Sequence, residues 1–312
     1  MQLDFFMTLQ RVLVLFLLIV IGFISGKVGL ISKKGQKDIT NLVLYVTMPA
    51  TIFTAMQMEL NTERMQTAGT IALIVAAGYV LMFIIGLVSS KFSFLGFDDA
   101  QQGVYRTSLL LSNTSFMGYP IVASLLGEEA LFYAVLGAGF IFEVVSWSVG
   151  IYLMGRRGQG VVNFNWKKIV FSPGILSIVV GLIFFFGQWT VMAPFSNVID
   201  TLAPATSPLA MIVVGLILSQ SDIQATFQNK VLYFQAAIKL LVVPLILLMI
   251  LKMLNMTGAQ LLIPVIMLSM PTASYVAMFA SNYQNNAELA SQIVFMTSLL
   301  SIITIPIITL FF

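Results

Sequence analysis

Long apolar runs alternate with short polar connections along the whole chain. Each run has roughly the 20 residues that a helix needs to cross a bilayer. The pattern predicts spans at 6–27, 39–58, 66–89, 102–126, 130–154, 170–188, 197–219, 231–253, 259–282 and 288–311. The longest connection, GRRGQGVVNFNWKK from Gly155 to Lys168, is too short for a folded domain. It divides the runs five and five. An odd number of spans per half gives the halves opposite orientations, the inverted-repeat plan of many secondary transporters. The predicted fold class is an all-α polytopic membrane protein of about ten transmembrane helices. Two inverted five-helix repeats, 1–154 and 169–312, are joined by a cytoplasmic connection at 155–168.

Two runs are interrupted in a way lipid does not favour. LSNTSFMGYP (111–120) lies in the fourth run and LSMPTASY (268–275) in the ninth, the fourth of each half. Proline removes one helical hydrogen bond and clashes with the preceding turn. Inside a membrane the freed backbone groups must find protein or water. Paired interrupted helices at corresponding positions are the best sequence pointer to a transporter's binding site. The half-helix after each break points its positive N-terminal end inward, which suits an anion such as a carboxylate. The candidate ligands are Asn113, Thr114, Ser115, Tyr119 and Pro120 in one break, and Pro271, Thr272, Ser274 and Tyr275 in the other. An echo at the second run of each half, TMPATIF (47–53) and LAPATSP (202–208), adds Tyr45, Pro49 and Thr51. Packing around the breaks is as good an account of that last group as ligand contact.

Charge orients the chain. Lys27, Lys33, Lys34, Lys37, Lys91, Arg156, Arg157, Lys167, Lys168 and Lys230 follow the odd-numbered runs, and Arg106 lies near the start of the fourth. The other face holds Arg11, Arg64 and Lys252. The positive-inside rule places the first set in the cytoplasm and both termini outside. Two charges fall within runs. Glu143 sits centrally in the fifth, where a carboxylate costs several kcal/mol unless protonated or paired, so it is a candidate for carrying a coupling proton, the alternative being a structural hydrogen bond as a neutral acid. Lys239 lies about nine residues into the eighth. Snorkelling to the cytoplasmic interface is the plainer expectation for it. The alternative is a counter-charge for Glu143 or for an anionic substrate.

Composition narrows the rest. Of 312 residues 59% are hydrophobic and 9% charged, with a mean hydropathy of +1.00. A soluble domain carries roughly 25% charged residues, so most of this surface must face lipid. Cysteine and histidine are absent, which removes thiolate and imidazole chemistry. No phosphate-binding P-loop occurs, and the net charge of +3 belongs to the cytoplasmic connections and not to nucleic-acid binding. No cofactor or metal is expected. GFISG (22–26) has the spacing of a helix-packing motif and is weak evidence for a dimer.

The interrupted segments also carry a resemblance. NLVLYVTMPATIF (41–53), SNTSFMGYPIVASLLGEEA (112–130) and MPTASYVAMFASNYQNNAELASQIVFMTSLLSIITIPIITL (270–310) are similar to stretches of the auxin efflux carrier family. That family includes plant PIN proteins and bacterial malate- and malonate-permease-like members. The resemblance implies a fold like NhaA and the bile-acid symporters, with helices 4 and 9 crossing at their breaks. It implies a scaffold from helices 1, 2, 6 and 7, a transport domain from helices 3–5 and 8–10 moving as an elevator, Asn113 as a substrate ligand, and a homodimer. The long central loop of long plant PINs is missing.

The expected function is therefore a secondary transporter of small organic anions or weak carboxylic acids in the cytoplasmic membrane, coupled to protons, sodium ions or the membrane potential. An anion channel or a membrane-embedded enzyme is the alternative.

Overall fold

The computed structural model describes residues 5–92, 96–155, 170–220 and 223–312, and these are helical apart from turns and one isolated β-bridge. The predicted connection lies outside the described residues, Gly155 excepted, and with it Arg156, Arg157, Lys167 and Lys168. The helices are α1 (Phe5–Lys27), α2 (33–55), α3 (Thr62–Ser89), α4 (Asp99–Leu110), α5 (Thr114–Leu126), α6 (Glu128–Gly155), α7 (Pro173–Gly187), α8 (Phe195–Leu218), α9 (Ile223–Gln228), α10 (Lys230–Met253), α11 (Gly258–Leu268), α12 (Tyr275–Asn282) and α13 (Ala287–Thr309). Six of them are long and apolar enough to cross a membrane, and α5, α7 and α11 are shorter apolar helices. Leu17, Leu73, Val80, Ile84 and Ile303 are each more than half exposed. Each would forfeit about 1.5–3 kcal/mol in water relative to an apolar setting, so this belt is built for lipid.

Polar residues mark the helix starts. Ser32, Asn61, Ser172, Asn229 and Asn286 each accept a backbone N–H of the first turn they precede. Asp98 and Gln101 form a reciprocal capping box at the start of α4, which accounts for half of the acidic pair at 98–99. Within the apolar runs, three π-turns stand directly before prolines: Val43–Thr47 before Pro49, Thr114–Gly118 before Pro120, and Ile238–Val242 before Pro244. A proline ring pushes away the carbonyl one turn back, and a widened turn absorbs the displacement.

Two groups of helices result. In one, α1 lies along α8, and α2 packs on α7 and α8. In the other, α3 packs on α4, α6 and α11, while α13 packs on α10 and α12. The α1–α8 contact is made backbone to backbone. A Cβ on Gly215 would strike Ile19 O, the Phe23 backbone N and Gly22 Cα, and one on Gly22 would strike the backbone of Ile212. Gly26 faces Ser219 in the same seam. The GFISG motif is therefore spent inside the chain, and its spacing is no longer evidence for a dimer.

Because neither backbone can yield cheaply, Gly215→Ala should cost about 1–3 kcal/mol as an overpacked site. The control Gly69→Ala, with nothing within 4 Å of the added methyl, should be neutral or slightly stabilising. Thermal unfolding in detergent, followed by tryptophan fluorescence, reads the difference.

Candidate functional site

The break after α4 and the break after α11 meet. Ser112 and Thr272 form an antiparallel bridge, closed by Asn113 N–H donating to Pro271 O at 2.7 Å and Ala273 N–H donating to Leu111 O at 2.9 Å. Two unwound segments thus satisfy one another as a fragment of sheet would. Side chains supply most of what the bridge leaves over. Thr272 Oγ1 donates to Ser108 O at 3.0 Å, and Thr272 N–H donates to Thr297 Oγ1 at 3.1 Å. Ser269 Oγ donates to Ile266 O at 2.8 Å, and Ser112 Oγ reaches Leu268 O at 3.4 Å. This is the accounting that a water-free interior demands of freed backbone groups.

Lys239 completes it. Its Nζ donates to Leu109 O at 2.7 Å and to Ser112 Oγ at 2.8 Å, and the residue is fully buried. Leu109 O is the carbonyl that Asn113 N–H would have served in an unbroken helix. Snorkelling is therefore wrong for Lys239: its side chain turns to the end of α4, where unpaired carbonyls offer acceptors stronger than a distant interface. Nor does it pair with Glu143. That carboxylate accepts from Trp147 Nε1 at 3.0 Å and lies beside Ser172 and Gly174 at the start of α7.

Asn113 is the exception in this network. It occupies the N-cap position of α5 yet makes no capping bond, and its Nδ2 has no partner among the described residues although Asn113 is 2% exposed. Asparagine at an N-cap ordinarily accepts an N–H of the first turn. Here its amide is free to donate to something else. The first N–H groups of α5 have no intrahelical acceptor in any case, and they carry the positive end of the helix dipole.

Thr114, Ser115, Tyr119 and Pro120 line the buried start of α5. Tyr119 lies within reach of Ser115 and presses its hydroxyl against Gly139 of α6, filling space that only glycine leaves. Pro271 and Thr272 are buried in the second break, while Ser274 and Tyr275 are partly exposed at the start of α12. Tyr275 stacks on Phe142, ring centroids 5.7 Å apart, and leans on Trp147 at 6.1 Å. Of the α2 candidates, Tyr45 lies near Tyr275 and the other two are engaged away from the breaks. Tyr45 is 64% exposed, Pro49 lines an apolar hollow with Phe53 and Leu176, and Thr51 Oγ1 bonds Thr206 Oγ1 at 2.7 Å and Ala203 O at 2.9 Å. Thr51 thus ties α2 to α8.

The fold also recruits residues that the pattern of runs did not mark. Tyr79 of α3 is buried within reach of Thr114, and Thr297 of α13 and Ser108 of α4 hold the second break. Tyr79 is a lone polar group in an apolar run, and Ser108 and Thr297 each stand beside another hydroxyl, Thr107 and Ser298. A hydroxyl in such a run can serve its own preceding carbonyl, so its wider role shows only in three dimensions.

The profile of the membrane transport protein family matches residues 7–309. The chain belongs to that family. It is the family of the auxin efflux carriers, to which the quoted motifs pointed. Among members of the membrane transport protein family, an uncharacterized transporter of Methanocaldococcus jannaschii is 25% identical over 95% of this chain and 96% of its own length. An uncharacterized transporter of Methanothermobacter thermautotrophicus is 26% identical, covering 96% of each chain. A Rhizobium meliloti protein named "Putative malonate transporter" is 27% identical over 94% of this chain and 92% of its own.

Thr297→Val keeps the shape of the side chain but leaves Thr272 N–H buried without an acceptor. It should lower stability by about 1–3 kcal/mol, read as a fall in detergent melting temperature with no change in helix content.

Proposed function

We propose that this protein is a secondary carrier of small organic anions or weak carboxylic acids in the cytoplasmic membrane, loading its substrate where helices 4 and 9 cross. The single observation that carries the reading is the unpartnered Asn113 amide, buried at the paired breaks and beside the positive end of α5. A carboxylate there would accept from Asn113 Nδ2 and from the N–H groups of Ser115 and Phe116, since Thr114 N–H turns back to Ser112 O at 2.7 Å, with the Thr114 and Ser115 hydroxyls completing its shell. The Rhizobium meliloti relative, whose name carries malonate, fits the same substrate class.

The larger plan belongs to this reading. Ten spans in two inverted repeats would place the breaks near mid-membrane, with the termini outside and the 155–168 connection in the cytoplasm. The group containing α1, α2, α7 and α8 would serve as scaffold. The group containing α3–α6 and α10–α13 would carry the substrate as an elevator, and a homodimer would anchor the scaffolds. Driving force would come from protons, sodium ions or the membrane potential, the last worth about 2.3 kcal/mol per charge per 100 mV. Glu143 and Lys239 are the two buried ionisable candidates for that coupling.

A counterflow screen of mono- and dicarboxylates in proteoliposomes tests this. Saturable exchange of at least one carboxylate is expected, and flux that never saturates and shows no counterflow would point to a channel instead. Asn113→Ala removes a hydrogen bond to a charged group, worth about 1.5–3 kcal/mol, so substrate affinity should fall roughly 10- to 100-fold. Exchange as fast as the parent's would remove Asn113 from the site.

A further inference from the structure

Lys239 has two acceptors where an ammonium has three hydrogens to donate. Leu109 O and Ser112 Oγ take two, at 2.7 and 2.8 Å, and no third acceptor stands within bonding distance among the described residues. A neutral amine makes the same two bonds and leaves no hydrogen unpaired. The neighbouring elements bring no counter-charge. α4 contributes Leu109 and the break contributes Ser112, and α13, which packs on this turn of α10, carries as its buried polar residues from 297 onward only the hydroxyls of Thr297, Ser298, Ser301 and Thr309. Arg106, on α4, is turned to Ser90 and Gln102. Glu143 is held by Trp147 among Tyr79, Tyr119 and Tyr275, and Tyr45 lies near Tyr275. A permanent ammonium at this depth would stand uncompensated, which membranes penalise heavily.

A carboxylate bound at the breaks changes that sum. The four helix ends meeting there carry half-charges of alternating sign that roughly cancel. The ligand's single negative charge is then balanced if one proton joins Lys239.

We propose that Lys239 is the coupling residue: its amine takes up one proton when a monovalent carboxylate occupies the paired breaks and gives it up when the ligand leaves. This rests on the carrier reading above. The step balances: the amine lone pair binds a proton from water on the loading side, the ammonium and the carboxylate cross as a neutral pair, and both proton and anion leave on the far side. Linkage makes the coupling reciprocal, each ligand tightening the other. Lys239 acts through Leu109 and Ser112, bonded to the back of the break, and is a positioning residue rather than a direct ligand. Glu143, tied to the start of α7, is not the proton's carrier.

The test uses purified protein and proteoliposomes with the carboxylate found active in counterflow. Binding in weakly buffered detergent solution, with a pH dye, should show one proton taken up per anion. Affinity should weaken about tenfold per unit of rising pH once the amine is deprotonated in the empty carrier. Influx should follow an inward proton gradient and ignore a potassium–valinomycin potential. Lys239→Met, checked for a monodisperse profile, should lose proton uptake and bind the carboxylate at least tenfold more weakly, while the affinity for its uncharged amide analogue stays within twofold. Zero protons per anion in the parent overturns the assignment whatever the variants do. So does parent-like uptake in Lys239→Met, an equal loss for acid and amide, or disappearance of proton uptake in Glu143→Gln. A parent that moves no carboxylate at all overturns the carrier reading together with this one.

Discussion

The constraint on which the rest of the structure depends is the debt of an interrupted helix in a place without water. Breaking α4 from α5 and α11 from α12 frees backbone donors and acceptors that lipid cannot satisfy. The chain answers by setting one break against the other, so that Asn113 N–H meets Pro271 O and Ala273 N–H meets Leu111 O. The hydroxyls of Ser112, Ser269, Thr272 and Thr297 and the amine of Lys239 take up most of the remainder. Neither broken helix is viable alone, so each break presupposes the other.

Seen this way, the polar residues of the breaks divide by what they owe the backbone. Thr272, Ser112 and Lys239 are committed to holding the bridge. Asn113 is placed where it could cap α5 and does not, and among the described residues its amide is one of several buried side-chain groups without a partner, Gln235 and Ser298 being others, and the one that lies in a break.

Much of this was legible in the sequence. The apolar runs located the helices because a membrane helix announces itself by length and hydropathy, and Pro120 and Pro271 among hydroxyls located the breaks because proline has few uses inside a helix. The side chains' destinations were not legible. Lys239 reads as a snorkelling lysine because its run begins nine residues away at the cytoplasmic face. Only the folded chain shows that a freed carbonyl lies closer than the interface. Tyr79 sits in a run of unbroken apolar character and Thr297 among other hydroxyls that serve their own helix, and their part depends on which helices pack together. GFISG has the spacing of a contact surface, but spacing does not say whether the partner is another copy or another segment. Thr51 likewise shares its motif with ligand candidates and spends its hydroxyl on α8.

The glycine seam between α1 and α8 has a consequence for how the protein is made. Gly22 and Gly215 touch, yet about 190 residues separate them. A ribosome adds roughly 5–20 residues each second, so α1 enters the bilayer some ~10–40 s before its partner exists. Throughout that interval its groove lies open to lipid tails. The first helix to be inserted is thus seated only after α2–α7 have been made, with α9–α13 still to come.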